Sequence, residues 1–116
     1  MLFTESLKKN DDFKRVYGEG NSRANKYLVM YVAKNGTGLN RIGVSVSKKN
    51  GNSVVRHRIK RLVKESYRLH EVVFNSGLDI VVVARVTAKE AGFKEIESAL
   101  LHLGKLHSIV SIKNNP

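Results

Sequence analysis

SVSKKNGNSVVRHRIKRLVKESYR, residues 45–68, sets the terms for the rest of the chain. Its second half holds Arg56, Arg58, Lys60, Arg61, Lys64 and Arg68, with His57 among them and Glu65 as the only acid. Val55, Ile59, Leu62, Val63, Ser66 and Leu69 recur at helical spacing. At about 100° per residue these six fall within an arc of roughly 120°. Arg56, His57, Lys60, Arg61, Lys64 and Arg68 fill the arc opposite. Such a helix docks its apolar stripe on a core and turns a cationic stripe towards a polyanion. Asn52 or Ser53 can cap its first amides. Lys48 and Lys49, with Gly51, form a basic loop ahead of a helix N-terminus whose free N–H groups suit phosphate. A run of charge is ordinarily a solvated helix face, and a basic amphipathic helix also suits a membrane surface or a calmodulin-type target. Here the charge is almost one-signed, which is poor for pairing along the helix. Its self-repulsion favours a polyanionic partner.

The rest of the composition agrees. The 116 residues make one domain, 1–116, with no room for a second. A hydrophobic share of 41% supports a modest core, and no apolar run approaches the roughly 18 residues of a spanning helix. The first residues, MLFTESLKKNDDF, lack the basic-then-apolar order of a signal peptide. There is no cysteine, which fits a reducing cytoplasm and excludes disulfides and thiolate metal sites. Net charge is +11 with a sequence pI near 10.1, the range of nucleic-acid binders. The excess is local: Arg41–Arg68 carries nine Lys/Arg against one Glu, Met1–Lys26 six against four acids.

Outward from the basic helix, the chain alternates. Residues 1–9 read as an extended lead-in. Asn10 or Asp11 can cap a short helix to about Tyr17, stopped by Gly18 and Gly20. On it Phe13, Val16 and Tyr17 share one face. Val16 suits the core, while Phe13 and Tyr17, beside cations, also suit unstacked bases. In the strand that follows, Tyr27, Val29 and Tyr31 alternate with Leu28, Met30 and Val32, so both faces are apolar. One face meets core helices and the other is open to a ligand cleft. Asn35-Gly36-Thr37-Gly38 predicts a hairpin that returns through residues 41–47. After the basic helix, ending at 70–73, Leu78–Arg85 is a continuous β-branched run, the mark of a central buried strand. Thr87 or Ala88 opens a last helix with Phe93, Ile96, Leu100 and Leu103 in a stripe, and from His107 onward the chain is expected to fray. The order is α-β-β-α-β-α, with room for an extra short strand. It predicts an α+β two-layer sandwich: a mixed sheet with helices mainly on one face, 41–47 and 78–85 being parallel strands joined across the basic helix.

Self-contained catalytic chemistry is missing. No Gly-Lys-Ser/Thr phosphate loop exists, and Gly18-Glu19-Gly20 lacks the third glycine of a dinucleotide fingerprint. His57, His70, His102 and His107 have no metal-site spacing. His70 suits packing, and His57 an RNA contact or a neutral spacer rather than a general base. No carboxylate pair is set for metal-assisted hydrolysis. The expectation is a binder with no catalytic or metal-ligating residues of its own.

The run Gly43-Val44-Ser45-Val46-Ser47-Lys48-Lys49, then Gly51-Asn52 and Val55-Arg56-His57-Arg58-Ile59-Lys60-Arg61, resembles the signature of the bacterial ribonuclease P protein family. Asp12-Phe13 with Tyr17 and Gly20, the strand bearing Tyr31, and Ile80–Arg85 fall where that family has similar elements. The resemblance spans nearly the whole chain. It implies a cytoplasmic protein that assists a catalytic RNA in removing the 5′ leader of precursor tRNA, with catalytic magnesium ions held mainly by the RNA. No organic cofactor, obligate protein partner or membrane is implied. It also implies a left-handed βαβ crossover, against the usual right-handed rule. Carried over residue by residue, Lys48, Lys49, Asn52, Arg56, His57, Arg58, Lys60, Arg61, Lys64 and Arg68 would face the RNA subunit. Phe13, Tyr17, Val29 and Tyr31 would line a leader cleft. His57 departs from the asparagine usual in the motif, and Lys64 stands where some relatives have arginine. Competing readings are a ribosomal or other structural RNA-binding protein, a helix-turn-helix DNA binder reading with residues 53–70, and a self-sufficient nuclease.

Overall fold

The computed structural model describes residues 3–111. Its centre is the β-branched run, now strand β5 (Leu78–Ala84). Its side chains are buried apart from a half-exposed Val83, because both edges of the strand are paired and both faces covered. Four more strands complete one sheet: β1 (Thr4–Ser6), β2 (Asn21–Ala24), β3 (Leu28–Lys34) and β4 (Asn40–Ser45). They lie in the order β1-β4-β5-β3-β2. β4 is parallel to both β1 and β5, and β3 is antiparallel to both β5 and β2. Between β4 and β5 the chain crosses over through the basic helix, α2 (Ser53–His70). This is the parallel unit expected from the sequence, since a crossover needs a connection of about a dozen residues or more.

Helices α2 and α3 (Phe93–Leu106) cover one face. There Leu28, Met30, Ile42, Ile80 and Val82 meet Ile59, Val63, Tyr67, Ile96, Leu100 and Leu103 in one apolar core. Helix α1 (Asn10–Glu19) lies on the other face, where Val16, Leu7, Ala33 and Val81 form a second, smaller cluster. The two-sided character of β3 is therefore real: Leu28 and Met30 serve the first core, Tyr31 and Ala33 the second.

Several local expectations change. The lead-in contains β1, whose register runs Thr4↔Asn40 to Ser6↔Ile42, and Thr4 Oγ1 lies 2.8 Å from the Tyr67 hydroxyl. Such edge pairing leaves no periodic signal in three residues. Asn35–Gly38 is no hairpin. Strand β5 inserts between β3 and β4 because its apolar run needs a partner on each edge. The true hairpin joins β2 to β3, and Asn25 Oδ1 closes it by accepting from the amides of Tyr27 (3.2 Å) and Leu28 (3.1 Å). Helix α1 starts after Lys9 with no side-chain cap and runs past Gly18 to Glu19. Residues 86–90 form a separate 3-10 turn. α3 begins only at Phe93, where Glu95 accepts from the Gly92 amide at 3.0 Å.

The segment after His107 also packs. Ile109 is buried, the Ser111 amide donates to Val73 O at 2.8 Å, and His107 Nε2 donates to Met30 O at 2.8 Å. The outermost parts of the expected lead-in and tail, 1–2 and 112–116, lie outside the described residues.

Candidate nucleic-acid interface

Helix α2 is capped by Asn52, whose Oδ1 accepts from the Val55 amide at 3.0 Å. Ahead of it Lys48–Asn50 form a 3-10 turn closed by Gly51 at φ 138°, a conformation L side chains rarely adopt. Asn50 is buried and donates from Nδ2 to Arg85 O at 2.7 Å. This anchors the turn to the end of β5 and leaves Lys48 and Lys49 exposed.

The buried stripe of α2 is Ile59, Val63, Ser66 and Tyr67. Ile59, Val63 and Ser66 lie in it as expected, but the stripe turns from Leu69 towards Tyr67. Leu69, placed in the apolar stripe, is 50% exposed, while Tyr67 is fully buried. The reason is polar: the Tyr67 hydroxyl lies 2.8 Å from Thr4 Oγ1 and accepts from Asn40 Nδ2 at 3.2 Å. Burial pushes its pKa up. Rotation carries Arg56 to the edge of the buried side, where it is half-exposed. Arg58 turns towards the turn before α3, donating from Nη2 to Ala91 O at 3.0 Å.

His57, Lys60, Arg61, Lys64 and Arg68 are exposed. Arg58, Arg61, Lys64 and Arg68 line a groove of about 570 Å³ together with Leu62, Glu65 and Phe93. Glu65 is not a free acid within it, since Arg68 Nε donates to Glu65 Oε2 at 3.0 Å and that hydrogen bond lowers the Glu65 pKa. His70 is half-buried and its Nε2 lies 2.9 Å from Glu97 Oε2, an inter-helix contact in keeping with a packed side chain.

The opposite face of the sheet has three cross-strand rows, since directly paired residues share a face. The first is Arg41–Asp79–Ala33, the second Gly43–Val81–Tyr31–Ser22, and the third Ser45–Val83–Val29–Ala24. Helix α1 rests on the first two. Its Phe13 ring sits on Gly43, so closely that a Cβ there would lie 2.5 Å from Phe13 Cζ. Tyr17, 39% exposed, meets Tyr31 edge-on with ring centroids 4.9 Å apart, and Phe13 at 6.5 Å. Ser45, Val83 and Val29 in the third row stay half-exposed. The four residues expected at a cleft, Phe13, Tyr17, Val29 and Tyr31, are thus neighbours around one partly open apolar strip.

Sequence reasoning missed what holds α1 there. Asp79, fully buried, accepts from Arg41 Nε at 2.8 Å and Nη2 at 2.6 Å, from Asn35 Nδ2 at 3.0 Å, and from Arg15. Burial raises the pKa of this carboxyl, but the hydrogen bonds of Arg41 and Asn35 and the nearby positive charges outweigh it and hold the value low. The signal was present as a single acid interrupting an apolar strand.

A family model described as Ribonuclease P matches residues 1–107. A ribonuclease P protein component from Lachnoclostridium phytofermentans is 62% identical over 108 residues, covering 93% of each chain. The chain belongs to the ribonuclease P protein family. A component from Alkaliphilus metalliredigens is 54% identical over 111 residues, covering 96% of this chain and 100% of its own. The solved RNase P protein of Staphylococcus aureus matches with a TM-score of 0.85 at 38% identity, over 91% of this chain and 97% of that one. The Thermotoga maritima protein matches at 0.80 and 34% identity, over 87% and 96%. The expected α+β mixed sheet is therefore the architecture of ribonuclease P proteins, and the chain takes its part in ribonuclease P. A helix-turn-helix reader is ruled out by the fold, because α2 crosses between two parallel strands of one sheet and no α-helix is joined to its start by a short turn.

Proposed function

We propose that this chain binds the catalytic RNA of ribonuclease P through the exposed cations of α2 and the Lys48-Lys49 turn. The 5′ leader of precursor tRNA then runs over the open row of the sheet. The observation that carries this reading is the placement of a cationic helix face and a half-open aromatic strip on opposite faces of one sheet. Two RNA segments can be held at once. His57, Lys60, Arg61, Lys64 and Arg68 supply phosphate contacts, so affinity falls with salt. Arg58, with two backbone carbonyls in reach, joins the RNA surface by its remaining N–H groups, and half-buried Arg56 contributes at its margin. Asn52 acts as the cap that positions the turn. Phe13, Tyr17 and Tyr31 offer ring faces and edges to leader bases, each stacked base being worth about 1–3 kcal/mol with little sequence preference. Val29 supplies apolar floor.

Among the described residues no group of three or more His, Asp or Glu side chains could hold a metal ion. In this reading hydrolysis of the leader belongs to the RNA and its magnesium ions. The chain lowers the magnesium requirement by placing cations among crowded phosphates. The proposed setting is the cytoplasm, in keeping with a sequence free of cysteine. Among the described residues no helix is long and apolar enough to cross a membrane.

Reconstitution tests the proposal. The chain is mixed with a bacterial ribonuclease P RNA at low magnesium and cleavage of a leader-bearing precursor is followed. Cleavage by the mixture, with neither part sufficient alone, is expected. RNA binding without any gain in cleavage would instead favour a structural RNA-binding role. Tyr31→Ala should weaken precursor binding by about 1–3 kcal/mol and leave mature tRNA binding unchanged. An equal loss for both would remove the cleft.

A further inference from the structure

Helix α1 carries two walls of the proposed cleft on a weak foundation. It has ten residues, no side-chain cap and one fully buried side chain, Val16. Helices this short do not hold themselves in water. Its placement must come from outside, and the apolar cluster beneath it is small.

The structure supplies a polar anchor instead. Asp79 lies in the first row of the sheet with no exposed surface. Arg41, its neighbour on β4, grips both carboxylate oxygens in a two-pronged contact at 2.8 and 2.6 Å. Arg15 reaches down from α1 to the same carboxylate and also holds Glu19 at 3.2 Å. Arg41 Nη1 stands 3.6 Å from Asp12 in the first turn of α1. One carboxylate is therefore linked to Asp12, Arg15 and Glu19, which span the helix. Guanidinium–carboxylate forks fix direction as well as distance, whereas apolar contacts tolerate sliding. A buried ion pair is a poor source of net stability beside an apolar replacement, so its value here is geometric.

We propose that Asp79 is a positioning residue for the leader cleft, holding α1 through Arg15 and Arg41 so that Phe13 and Tyr17 stand beside the open third row. This inference rests on the leader-cleft reading above. It assigns to Asp79, Arg15 and Arg41 a role in substrate affinity without any contact to the substrate.

The test uses Arg15→Met, Arg15→Lys and Asp79→Asn. In the free protein, amide exchange of α1 is compared with that of α3. In the reconstituted holoenzyme, KM and kcat are measured for a precursor with a long leader and for one cut to a single nucleotide. Arg15→Met and Asp79→Asn should speed α1 exchange about tenfold while leaving α3 protected. They should raise KM for the long leader about tenfold, equivalent to about 1.4 kcal/mol, with kcat and the short-leader KM unchanged. Arg15→Lys should recover part of the loss. Arg15 is partly exposed, so its variants test the idea even if Asp79→Asn fails to fold. Unchanged α1 exchange, or an equal KM rise for both substrates, overturns the inference. If the unmodified holoenzyme does not distinguish the two leaders, the cleft reading falls and this inference with it. The exchange measurement then shows whether the anchor still holds α1.

Discussion

The two faces of the sheet are closed by different physics. Under α2 and α3 the closure is apolar: Leu28, Met30, Ile42, Ile80 and Val82 interlock with Ile59, Val63, Leu100 and Leu103. Under α1 the apolar cluster is small, charge does much of the holding, and one row is left half-open. Dispersion and hydrophobic burial are non-directional and reward filling every gap, so the first face is finished and offers only its outer, cationic surface. Hydrogen-bonded ions reward a particular angle and tolerate a gap beside them. A protein that must keep a rigid scaffold and an open slot on one sheet can therefore build each face with a different force.

Mutations should separate the faces. Ile59→Ala, in the finished core, should cost about 2–5 kcal/mol of global stability, read by denaturant midpoint, and should loosen α2 and α3 together. A loss below about 1 kcal/mol would mean that the core has slack. Gly43→Ala strikes the other face, where its Cβ would come within 2.5 Å of the Phe13 ring. Because Phe13 is only half-buried and can swing towards the open row, the cost should fall at the lower end of about 1–3 kcal/mol. Precursor affinity, measured by filter binding, should suffer more than stability. Equal effects on precursor and mature tRNA would show that Phe13 does not border the slot.

Acid should give the smallest and most selective effect. The Asp79 carboxyl is held below its ordinary value, so its contribution is complete above about pH 3.9, the unfolded value. It is lost as the pH falls through the lower folded value. Amide exchange across that window should show α1 released before α3. Simultaneous release would mean that the charged anchor is not a separate unit.

The uneven legibility of the two faces has the same origin. Period and run length are properties of consecutive residues. They identified α2, the two-sided β3 and the central β5, and the crossover followed from their order. The exposed cations of α2 and the apolar alternation of β3 were legible for that reason; the roles proposed for them came from the motif around Arg56-His57-Arg58, which resembles a known family. What was misplaced depends on residues far apart in the chain. Tyr67 displaces Leu69 from the core because Thr4 and Asn40 meet its hydroxyl. Strand β1 exists because β4 offers an edge.

By itself, then, the amino-acid order determined a basic amphipathic helix, an apolar central strand and a one-signed cationic surface, since each is written in local spacing and composition. Only the tertiary structure decided that β5 parts β3 from β4. It also decided that Arg58 leans on a backbone turn and that a buried Asp79 carries α1 over an open row. These are choices among long-range pairings, and their free energies arise only when distant segments meet.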